Sequence, residues 1–149
     1  MFKINAEHEE GLVSGTIQIT YGSMEIDLDL GTFGPFCDRS NSSREKIFYV
    51  DFLEALRNRQ KSTFCCNNYD DGVSCSFISD TDGTLTIYAK AGMMTVYKFS
   101  VLMTNEIFAE MEKLVITTKQ SCSTIEKARE WEEKYFPKDY VYGRGLAYV

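Results

Sequence analysis

Residues 62–102 read STFCCNNYDDGVSCSFISDTDGTLTIYAKAGMMTVYKFSVL, and they decide the fold. Asp82-Gly83 sits between two β-rich runs. Asp-Gly favours a turn with positive φ, because Gly carries no Cβ and Asp tolerates the left-handed region. Before it, Val73, Cys75 and Phe77 alternate with Ser74 and Ser76; after it, Leu85, Ile87 and Ala89 alternate with Thr84, Thr86, Tyr88 and Lys90. Such period-2 alternation predicts a half-buried antiparallel pair. Ala91-Gly92 then punctuates the chain. Met93 to Val101 gives another strand, with Tyr97, Phe99 and Val101 on one face and Met94 and Val96 on the other. A strand apolar on both faces is expected centrally, or under a second layer. Thr63 to Asn68 adds an earlier strand, turned by the residues that include Asp70 and Asp71.

Working outward, Gly15 to Leu30 reads as a hairpin about Gly22-Ser23. Its second arm alternates Met24, Ile26, Leu28 and Leu30 with Glu25, Asp27 and Asp29. The three carboxylates therefore share one strand face at steps of about 7 Å. Phe2 to Ile4 predicts a short edge strand, followed by the polar stretch Glu7 to Gly11. Gly31, Gly34 and Pro35 place a loop over 31–41. Ser42 and Glu45 have capping-box spacing, so a helix is expected to start there and carry the stripe Ile47, Val50, Leu53, Leu56. Thr104 is a predicted N-cap for a second helix with Ile107, Phe108, Met111, Leu114 and Val115 inward. Ser123 with Glu126 predicts a third, whose stripe includes Trp131 and Tyr135 before Pro137. The expected fold is α+β: an antiparallel sheet of about six strands with two or three helices mainly on one face, in one domain over residues 1–149.

Composition narrows the function classes. A chain of 149 residues buries enough surface to fold without metal or disulfide. No apolar run approaches the ~20 residues of a membrane-spanning helix, and the N-terminus lacks a signal-peptide core. The five cysteines have no framework spacing, which predicts reduced thiols and a cytoplasmic protein. Net charge is −6, which argues against direct nucleic-acid or anionic-membrane binding. The charge is uneven: residues 1–38 carry seven acids against Lys3 alone, while residues 39–61 carry six bases against three acids.

The candidate chemistry is sparse. His8 reads as a surface residue of a charged loop. Cys65 and Cys66 alternate onto opposite faces and form no metal-ligand spacing with Cys75. The reading is of a protein without catalytic residues, metal or cofactor. Glu25, Asp27 and Asp29 form a row that would gain from an Arg/Lys-rich partner. Asp70 and Asp71 flank a meander turn, whose chemistry accounts for them, and stand as further partner-binding candidates. Tyr140 and Tyr142, near Arg144, have the composition of a binding hot spot, and a packed C-terminal strand is an equal reading of the same residues. The alternative class is an enzyme or small-ligand binder with a pocket between sheet and helices. Its first suspect is Cys37, just before a helix N-terminus that would lower its pKa.

The hairpin Gly15–Leu30, the helix containing residues 47–56, the meander through Asp82-Gly83 and the following helix resemble, in order, the small immunity proteins of bacterial polymorphic and contact-dependent toxin systems. The resemblance covers the layout of residues 12–118. It implies a noncatalytic inhibitor that binds one cognate toxin domain, commonly a nuclease. A phage-encoded inhibitor of a host defence protein has the same physical profile.

Overall fold

The Asp82-Gly83 step folds as its chemistry requires. Gly83 takes φ +84°, and the Asp82 carboxylate accepts from the Thr84 backbone N–H (3.0 Å) and hydroxyl (2.7 Å). The Thr84 hydroxyl, then its N–H, holds the Asp82 carboxyl below its ordinary pKa. The meander is carried by β4 (Ser62–Asn68), β5 (Val73–Ser79), β6 (Thr84–Ala91) and β7 (Met94–Leu102), antiparallel and in that order. We number the earlier strands β1 (Phe2–Glu9), β2 (Leu12–Tyr21) and β3 (Met24–Phe33); they make a second antiparallel sheet in the order β1-β2-β3. The computed structural model describes residues 1–35, 47–68, 73–91, 94–115, 121–127 and 129–130.

The class is α+β, as the alternation implied, but the expected single sheet of about six strands is instead two sheets of three and four strands. The extra length lies in β1. Lys3, Asn5, Glu7 and Glu9 face out while Ile4 is buried, so the polar stretch Glu7–Glu9 continues the strand and is not a loop. The turn that follows is Glu10-Gly11, both at positive φ (50° and 81°). Such a pair matches strand twist in a two-residue hairpin. β7 was expected centrally or under a second layer; among the described strands it is the last of its sheet, and its Tyr97, Phe99 and Val101 pack against the core.

Two helices complete the frame, α1 (Tyr49–Arg57) and α2 (Asn105–Glu112). α1 begins later than its expected Ser42 cap: Ile47 and Phe48 are not helical, and Phe48 is an N-cap without a side-chain bond. The Ser42–Glu45 pair itself lies outside the described residues. α1 holds instead through burial. Tyr49, Val50, Phe52, Leu53 and Leu56 are all buried. α2 has the predicted Thr104 cap, whose hydroxyl accepts from the Ile107 N–H at 3.2 Å. A short helical segment follows at residues 125–127 and 129–130. There the cap is Thr124, which accepts from Lys127 N–H, rather than Ser123, which donates to Glu10.

The sheets and helices share one core. Tyr49 is its hub. Its ring lies 5.6 Å from Phe33 of β3, 5.1 Å from Phe64 of β4 and 6.4 Å from Phe77 of β5. Its hydroxyl donates to the Met111 carbonyl at 2.7 Å, which ties α1 to the last turn of α2. α2 in turn lies along β1. The Ile4 N–H donates to Glu110 at 3.1 Å, so part of an otherwise open strand edge is capped. Arg57 reaches from α1 over the Phe108 ring and to Glu112.

Candidate interaction face

The outward face of the first sheet is built by alternation alone. Because Ile17 and Ile19 of β2 are buried, their neighbours Ser14, Thr16, Gln18 and Thr20 point outward. β3 repeats the pattern. Leu30 and Phe33 go to the core, and Glu25, Asp27 and Asp29 stay exposed. The register sets Lys3, Gln18 and Asp27 in one row and Asn5, Thr16 and Asp29 in the next. Rows of this kind lie about 4.8 Å apart from strand to strand.

The three predicted carboxylates are therefore brought together on one face. Two have local partners. Gln18 Nε2 donates to Glu25 Oε1 at 2.5 Å, across the strand pair. Asp29 Oδ1 accepts from the Gly31 N–H at 2.8 Å, beside the register shift between Gly15 and Thr16. Asp29 thus also secures the β3 side of a bulge. The sequence reading missed Glu7 and Glu9, which add exposed carboxylates from β1 to the same face. Their signal was the alternation of Lys3, Asn5, Glu7 and Glu9 with Phe2, Ile4 and Ala6. The face holds five carboxylates against Lys3. At the corner next to the β1–β2 turn, Glu7, Glu9, Ser14 and Thr32 line a shallow depression of about 480 Å³. There the Ser14 and Thr32 hydroxyls bond each other at 2.9 Å. Glu10 also lines this depression, and there the Ser123 hydroxyl, assisted by Lys127, holds its carboxyl below the ordinary value.

His8 is not the surface-loop residue that was expected. It is half-buried on β1, and its Nε2 lies 2.9 Å from the Lys113 carbonyl. A carbonyl only accepts, so Nε2 carries the proton. Burial lowers the His8 pKa, against the opposing pull of the carbonyl. Cys65 and Cys66 do face opposite ways: Cys66 is buried and Cys65 half-buried. Burial pushes the Cys75 thiol up to about 12 and raises Cys66 strongly. Both are thiols, not thiolates, at neutral pH. Among the described residues no group of His, Cys, Asp and Glu has the arrangement of a metal site, and no helix is long and apolar enough to cross a membrane. Asp70, Asp71, Tyr140, Tyr142 and Cys37 lie outside the described residues.

Searches of family models, curated proteins and solved structures find no match to the chain. The functional reading therefore rests on the face itself. It presents acceptors and a negative field from a rigid support, with hydroxyl and amide groups between the charges.

Proposed function

We propose that this chain is a noncatalytic inhibitor, an immunity-type protein that docks a basic protein domain on the outward face of β1-β2-β3. The observation that carries this reading is the set of Glu7, Glu9, Glu25, Asp27 and Asp29 on one sheet face, where Lys3 is the one opposing charge among the described residues. Like charges at strand spacing repel one another, and cationic side chains of a partner relieve that repulsion. A toxin domain that acts on nucleic acid carries such cations at its substrate groove. Covering them blocks the groove without chemistry. The layout resemblance to bacterial immunity proteins agrees with this mode.

The test uses the immobilised chain to capture the purified products of neighbouring reading frames, one at a time. A basic domain bound one to one, with association that slows as salt rises, is the expected result. Replacing Glu25, Asp27 and Asp29 together by Lys should slow association at least about tenfold and flatten its salt dependence. Unchanged association by the triple variant would exclude this face as the docking surface.

A further inference from the structure

Among the described residues, β7 is the final strand of its sheet and pairs only with β6. The phase of that pairing is fixed at its end, where the Met103 N–H donates to the Gly83 carbonyl at 2.9 Å. In an antiparallel ladder the bonded positions then recur at Val101, Phe99 and Tyr97. Lys98, Ser100 and Leu102 direct their backbone N–H and C=O groups away from β6. Among the described residues, nothing bonds those groups. The contrast with β1 is direct, because Glu110 caps the Ile4 N–H on that edge.

An apolar groove of about 380 Å³ runs beside this open edge. Phe99 and Val101 form one wall, and Ile19 and Ile107 contribute to the rest. The charged groups of its lining residues are Glu106, Glu110 and the Met1 α-ammonium, which donates to the Thr20 carbonyl. Glu110 is paired with Lys113, whereas Glu106 has no ion-pair partner among the described residues. Two exposed apolar side chains line the same groove: Tyr21 at 79% and Met1 at 74%. Single exposed apolar residues are ordinary; a cluster around a groove marks an interaction site.

We infer that the β7 edge accepts an extended segment of a partner protein as an added strand. The segment's main chain bonds Lys98, Ser100 and Leu102. Its alternate apolar side chains enter the groove beside Phe99 and Val101, and a Lys or Arg meets Glu106. Main-chain bonds supply affinity in strand addition, and side-chain pockets supply selectivity. Charge complementarity selects a basic segment over a second copy of this acidic chain. The groove borders the β1-β2-β3 face at Thr20 but includes none of its five carboxylates, so the inference stands whether or not those carboxylates dock a toxin domain.

The probe is a synthetic decapeptide of alternating Val and Thr with Lys at both ends. Controls are a Glu-ended version and one N-methylated at alternate residues, which cannot pair along one edge. With the full chain, amide exchange at Lys98, Ser100 and Leu102 should slow at least about tenfold on adding the Lys-ended peptide. The N-methylated peptide should give no protection, and Glu106→Lys should weaken binding at least about tenfold. The Glu25/Asp27/Asp29 triple Lys variant should bind the peptide unchanged. The inference is overturned by absent protection or by equal binding of the N-methylated peptide. Concentration-dependent self-association that protects the same amides would overturn it in favour of a second copy. Binding only after removal of residues 131–149 would overturn it in favour of this chain's own C-terminal segment.

Discussion

Tyr49 shows how one side chain joins separate elements. Its ring fills the space between Phe33, Phe64 and Phe77, and its hydroxyl reaches the Met111 carbonyl. Tyr49→Phe keeps the ring and removes only that bond. A buried hydrogen bond contributes about 1 kcal/mol net, so urea denaturation of Tyr49→Phe should show a loss of that order. Tyr49→Ala should lose about 3–5 kcal/mol through the cavity as well. His8 makes a pH prediction of definite sign. Its folded pKa lies below the ordinary imidazole value, chiefly through burial. The unfolded chain therefore takes up a proton first as pH falls. The stability contributed by neutral His8 is complete above its unfolded pKa and is lost as pH falls through the folded value. The thermal midpoint should drop between about pH 7 and about pH 5, and His8→Gln should flatten that interval. An identical slope in His8→Gln would assign the loss to other groups.

At the scale of elements, the register of β2 with β3 shifts between Gly15 and Thr16, with Leu30 the extra residue on β3. A Cβ at Gly15 would lie 2.7 Å from Leu114 Cδ2 and 3.1 Å from Leu30 Cδ1. Both leucines are fully buried, so neither yields freely. Gly15→Ala should cost about 1–3 kcal/mol by overpacking, and Gly15→Val more, read as falling denaturation midpoints at constant slope. These elements were unevenly legible in the sequence. The β2–β3 hairpin and the Asp82-Gly83 turn could be read because alternation and turn chemistry are local. The Thr104 cap was legible for the same reason. The acidic row was legible too, since side-chain alternation alone puts Glu25, Asp27 and Asp29 on one face. The true start of α1 was not. Its first turn is held by packing of Tyr49 and Phe52 against strands distant in sequence, and a capping signal says nothing of that. The position of β7 in its sheet was not legible for a related reason. Phe99 and Val101 line a groove shared with β2 and α2. Nothing within the strand shows which strands lie beside it.

The whole molecule places opposite tendencies on its two sheets. The outward face of β1-β2-β3 is acidic, whereas that of β4–β7 carries Lys90, Lys98 and the hydroxyls of Thr86 and Ser100. Lys98 lies over the Tyr88 ring, 5.4 Å from its centre. Such a charge separation orients a basic partner toward the first sheet before contact. The orientation persists only if the sheets form one rigid unit. Their hydrogen-bond ladders are separate, so that unity depends on the core. The buried cluster is continuous: Ile4, Val13, Ile17 and Leu30 of the first sheet join Phe64, Phe77, Leu85 and Ile87 of the second through α1. A single core of this kind predicts all-or-none unfolding. Methyl signals of Ile17 and Ile87, followed in urea, should disappear with the same midpoint. Leu53→Ala, which cuts the shared helix rather than either sheet, should lower both midpoints together through a loss of about 2–5 kcal/mol. If Ile17 and Ile87 reported separate midpoints, the sheets would be independent cooperative units, and the fixed charge separation would not survive at intermediate urea.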